Sequence, residues 1–250
     1  MITGGGGALG HASARALAQR GFDVALAGRT ASTLERTVAA VEGEGRRAVV
    51  LAGDVSDEAH VERLFETAQS ELGPVDALLH TAATHGTPRR LAETDLAEWE
   101  HVMTNLRSTF LCTRAALRQM VPRRAGSIVL VASAGILRGF PLAAPYAATK
   151  SALVGFARTL AAEVSPVGVR VNVLTPGAMP EGAIYQSAMP GIAEELGFHP
   201  DEGKELLESM SALRRACTPD EMARAVVFLA TDDSSLMTGQ NLVVDAGLTT

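Results

Sequence analysis

Short apolar runs alternate along the chain with longer stretches in which apolar positions recur every three or four residues. The runs "DVALAGR" (23–29), "RAVVLAGDV" (47–55), "VDALLHTAA" (75–83), "GSIVLVAS" (126–133), "VRVNVLTPG" (169–177) and "NLVVDAG" (241–247) predict β-strands. The amphipathic stretches between them predict helices at 31–45, 57–73, 96–120, 146–164 and 219–231. In the second of these, Val61, Leu64, Phe65 and Ala68 share one face; the fourth is closed by Ser165-Pro166.

Strands alternating with helices predict parallel pairing, and strands apolar on both faces predict helices on both sides. The expected fold is therefore α/β, a doubly wound, Rossmann-like parallel sheet, forming one domain over residues 1–250. Residues 178–211 break the rhythm, mixing glycines, prolines and acids. They read as an irregular substrate loop or lid, with a solvated surface excursion as the alternative.

The chain opens with "MITGGGGALGH", and a helical pattern follows through "HASARALAQRG". A glycine turn between a first strand and a helix lets backbone amides approach a phosphate at the helix N-terminus. Such a turn also occurs as a flexible cap, so the chemistry must come from elsewhere. The second strand ends Ala27-Gly28-Arg29-Thr30, without the acid that usually holds a ribose 2′-hydroxyl. Asp23 lies at the wrong end of that strand. Arg29 could pair with a 2′-phosphate, which favours NADP(H) over NAD(H).

The sequence of 250 residues is 47% hydrophobic, enough for a substantial core, and carries a net charge of −6. No basic block or basic-aromatic stripe marks a nucleic-acid surface, and the apolar runs are too short for a membrane span. Cys112 and Cys217 form neither a disulfide framework nor a zinc site. With no visible signal peptide, a cytoplasmic location is expected.

Only two lysines occur, Lys150 and Lys204, and Lys204 lies among surface acids. Lys150 follows Tyr146 by four residues at a helix start, on the same face. A nearby ammonium favours the phenolate, so the pair could form a tuned proton donor or acceptor. Ser133, at the end of the preceding strand, could hydrogen-bond a substrate oxygen as charge develops. Asn105 interrupts a long helix, either as a tolerated surface residue or at a local opening that holds a water near Lys150.

Thr3-Gly4 through Gly10, Asp54-Val55, Asn105, Ser133, Tyr146-x-x-x-Lys150, Pro176-Gly177 and "TGQNLVVDAG" resemble the short-chain dehydrogenase/reductase family over essentially the whole chain. The gap of twelve residues between Ser133 and Tyr146 is similar to the family's. The resemblance implies that Tyr146 transfers the proton and Ser133 polarises the carbonyl. Lys150 would bind the nicotinamide ribose and depress the Tyr146 pKa, and Asn105 would hold a relay water. It also implies cofactor contacts from Thr3, Gly4, Gly7, Leu9, Gly10, Arg29, Asp54, Val55, Thr81, Ala82, Tyr146, Lys150, Pro176, Gly177 and Met179. A homotetramer or homodimer is implied as well, built on the helices carrying Asn105 and Tyr146.

Some positions depart from the family pattern. Ala8 and Ala246 replace glycines, and His80-Thr81-Ala82-Ala83 replaces Asn-Asn-Ala-Gly. Glu181 stands where a threonine usually meets the nicotinamide carboxamide; it could accept from that amide, face a cationic substrate or turn to solvent. His85, Arg89, Arg90 and Arg138 are loop residues near the expected site, with Arg138 a candidate for an anionic substrate group. Only Met1 and Ile2 precede Thr3, so the first strand is expected to be a stub, or the start to lie upstream.

The leading functional expectation is an NADP(H)-dependent enzyme moving a hydride between nicotinamide and a carbonyl or secondary alcohol, in the ketoreductase direction. Its partner is then a small molecule, with walls from Ile136, Leu137, Phe140 and residues 178–211. The alternatives are a dinucleotide-binding regulator without turnover, and an epimerase or dehydratase using the same groups.

Overall fold

The computed structural model describes all residues, Met1–Thr250. Seven strands, β1 (Ile2–Thr3), β2 (Val24–Gly28), β3 (Ala48–Ala52), β4 (Ala77–His80), β5 (Gly126–Val131), β6 (Val169–Pro176) and β7 (Asn241–Val244), form one sheet in the order β3-β2-β1-β4-β5-β6-β7. Every pairing is parallel. The helices are α1 (Ala8–Gln19), α2 (Ala31–Gly43), α3 (Glu58–Leu72), α4 (Leu96–Arg123), α5 (Gly135–Arg138), α6 (Ala144–Val164), α7 (Ala183–Leu196), α8 (Glu202–Met210) and α9 (Pro219–Ala230). No helix is long and apolar enough to cross a membrane.

Alternate strand residues feed opposite cores. Ala25 and Ala27 pack on the side of α3, α4 and α6, while Val24 and Leu26 pack on the side of α1 and α9. Helix starts follow local chemistry. Asp57 caps α3 and Asp95 caps α4 through backbone amides three residues on. Thr218 and Glu221 form a capping box on α9, with Pro219 at its first position.

The first strand is indeed a stub of two residues, yet both are paired on each side: Ile2 with Leu26 and Leu79, Thr3 with Ala27 and His80. Beside it, at the amino edge of the sheet, lies a cavity of about 440 Å³ bordered by Met1, Val24, Val75 and Ala77. The strands are shorter than the apolar runs suggest. The reason is functional geometry: residues such as 81–83 and 132–133 leave the ladder at its carboxyl edge and line the large cavity there.

Residues 178–211 are not irregular. They fold into α7 and α8, joined by a short turn after Gly197, whose φ is +76°. Gly203 lets α8 approach α7 closely, since a side-chain carbon there would strike Met189.

Candidate active site

The strand order reverses at β1, where β2 leads one way and β4 the other. At that switch point a cavity of about 790 Å³ opens across the carboxyl edge. Apart from Thr3, every residue expected to act in catalysis or cofactor binding lines it.

Thr3 lies beneath the cavity as part of its floor. Its carbonyl accepts from the Thr81 amide (3.3 Å) and hydroxyl (3.0 Å), and its hydroxyl accepts from the Ala82 amide (3.4 Å). The same hydroxyl sits 2.9 Å from Nδ1 of His80, whose Nε2 is 3.4 Å from the Ser108 hydroxyl. Ser108 in turn donates to the Asn105 carbonyl. This order of donors assigns a neutral His80 protonated at Nε2. Burial, aided by the Lys150 charge, pushes the His80 pKa down to about 3. Thr81 thus spends both its amide and its hydroxyl on the floor.

The glycine turn fits a pyrophosphate. Gly4 has φ +70°, in the left-handed region. A side-chain carbon on Gly10 would run into the Gly4 carbonyl, so only bare backbone permits this packing of α1 on the turn. Ala8 is tolerated as the first residue of α1 and lines the cavity. The turn therefore presents the amino end of α1 to the cavity, the geometry that attracts an anion.

At the far end, Arg29 is exposed, lines the cavity and makes no ion pair. Asp23 is committed elsewhere, to Arg46 (2.8 Å) and Arg47 (2.7 Å). Asp54 accepts from the Ser56 amide and hydroxyl, both at 2.8 Å, which holds its carboxyl below the usual range.

At the other end stand Ser133, Tyr146 and Lys150. The Ser133 hydroxyl oxygen accepts from the Gly135 amide at 3.2 Å, which leaves its proton free to donate. The Lys150 ammonium donates to the Val131 carbonyl at 2.7 Å and lies 5.7 Å from the centre of the Tyr146 ring. His85 lies against the other partner: its ring centre is 4.8 Å from that of Tyr146, tilted by 31°. Burial pushes the Tyr146 pKa up to about 12 despite the lowering effect of Ser133, and pushes Lys150 down to about 8. The expected depression of the phenol is therefore not present in the protein alone. The ammonium is held at the strand carbonyl, and desolvation of the phenolate dominates.

Asn105 does not open its helix; α4 is continuous from Leu96 to Arg123. Its side chain accepts from the Thr84 amide (2.8 Å) and donates to the Thr84 carbonyl (2.9 Å) and Thr149 hydroxyl (3.3 Å). It thereby ties the loop after β4 to α6. Asparagine satisfies a backbone donor and acceptor at once, which explains its place in a helix interior.

Five further residues singled out in the sequence fall outside the cavity. Glu181 is exposed and does not line it; of the alternatives, the structure shows the turn to solvent. Arg138 donates to the Leu248 carbonyl at 2.6 Å, and Arg89 and Arg90 face outward. Of the loop after Ser133, Ile136 and Phe140 line the cavity while Leu137 is half-exposed outside it. Sequence reasoning missed Tyr185 and Leu248, both in the wall. Tyr185 was legible, since Ile184, Ala188 and Ile192 recur every fourth residue around it; Leu248 had no local signal.

The architecture is that of a Rossmann-like dinucleotide-binding oxidoreductase. Residues 6–249 match the family described as Enoyl-(Acyl carrier protein) reductase. The short-chain reductase protein NovJ of Streptomyces niveus is 36% identical over 248 residues, covering 99% of this chain and 92% of that protein. A variant of actinorhodin polyketide ketoreductase, solved with NADPH, superposes with a TM-score of 0.93 at 29% identity, covering 99% and 96% of the two chains. NAD+-bound xylitol dehydrogenase superposes with a TM-score of 0.92 at 29% identity, covering 98% and 96%. The chain belongs to the short-chain dehydrogenase/reductase family.

Proposed function

We propose that the chain is an NADP(H)-dependent ketoreductase in which Tyr146, Ser133 and Lys150 act on a carbonyl and Asn105 positions the loop and helix around them. The observation that carries this reading is the single cavity running from an unpaired Arg29, past the glycine turn, to the Ser133 and Tyr146 hydroxyls. The nicotinamide, when bound, supplies the hydride. The residues of the chain do the rest. Gly4, Gly7, Leu9 and Gly10 receive the pyrophosphate, Asp54 and Val55 the adenine, and Arg29 the 2′-phosphate. Ala82, Pro176, Gly177 and Met179 enclose the nicotinamide. The Ser133 proton meets the substrate oxygen as negative charge develops, and Tyr146 delivers a proton to that oxygen.

In the cofactor-free protein burial keeps the Tyr146 phenol protonated; the reduction direction rests on the NADPH that Arg29 favours. The relative solved with NADPH is a ketoreductase, which agrees with this direction. The test is a carbonyl panel with NADPH and NADH in parallel, read as loss of reduced-nicotinamide absorbance. Turnover favouring NADPH supports the reading. Tight cofactor binding with no turnover on any carbonyl points to a regulator instead, and product formation without cofactor consumption to an epimerase or dehydratase.

A homotetramer in the cytoplasm is part of the same reading. On α6, Ala152, Gly155 and Thr159 face outward, and on α4 Phe110 is half-exposed beneath the Arg114 guanidinium. Such apolar, small-residue faces suit packing against a second copy. Two buried, unpaired thiols fit a reducing compartment. Light scattering on the purified protein tests the assembly.

A further inference from the structure

Resting on the ketoreductase reading, we propose that the substrate is an uncharged ketone with an apolar body, seated against the inner face of α7 and α8. The wall is sorted by polarity. Residues 178–211 carry eight charged side chains, from Glu181 to Glu208, and none of them lines the cavity. What lines it is a stripe at helical spacing, Ile184, Ala188, Ile192 and Leu196 on α7, met by Leu207 and Met210 on α8. Tyr185 is the one polar side chain that this segment contributes.

The chamber is continuous with the reacting groups through Ile136, Phe140 and Leu248. No lysine or arginine at this end of the cavity is free to meet an anionic substrate. Lys150 is engaged with the Val131 carbonyl, Arg138 with the Leu248 carbonyl, and Arg89 and Arg90 point away. A carboxylate or phosphate placed among these side chains would be buried without a partner, at high cost. An apolar body, by contrast, gains with each group it removes from water.

The experiment measures kcat/KM with NADPH for methyl ketones from butanone to undecanone and for oxo acids of matching length. For the ketones the value is expected to rise about fourfold per methylene until the chamber fills. The oxo acids are expected to fall about a hundredfold below ketones of equal length. Ile192→Lys, inside the stripe, removes the chain-length increment. Glu195→Lys, three residues along the same helix but outside the cavity, keeps it.

A flat profile across the ketones, or a preference for the oxo acids, overturns the proposal while leaving the ketoreductase reading intact. If no carbonyl is turned over with either cofactor, that reading fails, and calorimetry decides the proposal separately. Undecanone binding more tightly than butanone and than the oxo acid, with Ile192→Lys abolishing the difference, supports the apolar chamber. Equal or absent binding overturns it.

Discussion

Tyr146 and Lys150 stand one helical turn apart on α6, and the amine that follows the phenol donates not to it but to the Val131 carbonyl, 2.7 Å away. The two groups are thus arranged as neighbours around the space a ribose would fill. Each is perturbed by burial first, the phenol upward and the ammonium downward. Their relation in turnover depends on what is placed between them.

Tyr146→Phe removes the proposed proton donor and keeps the ring that packs on His85. We expect kcat for ketone reduction to fall by about 10²–10⁴ with NADPH affinity little changed. Steady-state kinetics and cofactor titration of the same preparation check this. Near-normal turnover would remove Tyr146 from the chemistry.

Lys150→Met is expected to stabilise the cofactor-free protein while abolishing turnover. The folded pKa of about 8 lies below the ordinary lysine value of 10.5. The unfolded chain therefore binds the proton more tightly between those limits, and the penalty is fully present below pH 8 and relieved as pH rises toward 10.5. Removing the charge should add about 1–3 kcal/mol at pH 7, the upper bound being reduced by loss of the Val131 bond. Urea unfolding at pH 7 and pH 10 measures it; a destabilised variant at pH 7 contradicts the account.

His80 should make the protein acid-sensitive. Its folded pKa of about 3 lies below 6.5, so its contribution is present above pH 6.5 and lost as pH falls toward 3. The slope for this group is about 1.4 kcal/mol per pH unit. His80→Asn is expected to flatten the stability profile between pH 6 and 4. Identical slopes in the two proteins would show that the ring does not carry the effect.

Arg29→Ala should raise KM for NADPH by about 10–100-fold, the worth of charge-assisted hydrogen bonds, with little change for NADH. The ratio of the two KM values is the measurement. A parallel loss with both cofactors would mean that the guanidinium does not read the 2′ position.

Ala246 adopts φ +58°, a left-handed conformation that costs a residue with a side-chain carbon about 1–2 kcal/mol. Ala246→Gly is expected to raise stability by about 1 kcal/mol, read in a denaturant melt. A lower midpoint would show that the methyl group packs usefully enough to outweigh the strain.

Much of this was legible in the sequence because its signals are local. The apolar runs gave the strands, and the missing acid beside Arg29 gave the cofactor argument. The glycines of the first turn owe their identity to contacts within a few residues. What escaped depends on distant partners. His80 becomes a neutral floor residue only because Thr3 and Ser108 reach it from β1 and α4. The tyrosine pKa depends on burial that no spacing reveals. In residues 178–211, Pro190 and Gly191 masked a helical stripe that was present all along, since a proline inside a pattern normally argues for its end.

Leu248 brings the carboxyl-terminal segment into the wall of the proposed substrate chamber. It lines the chamber, and its carbonyl is anchored by Arg138, 110 positions earlier, at the end of α5, the short helix that follows Ser133. The tail is therefore tied by that hydrogen bond to the segment that borders Ser133. Under the proposed function, the tail is a place where selectivity could be engineered with Ser133, Tyr146 and Lys150 left as they are.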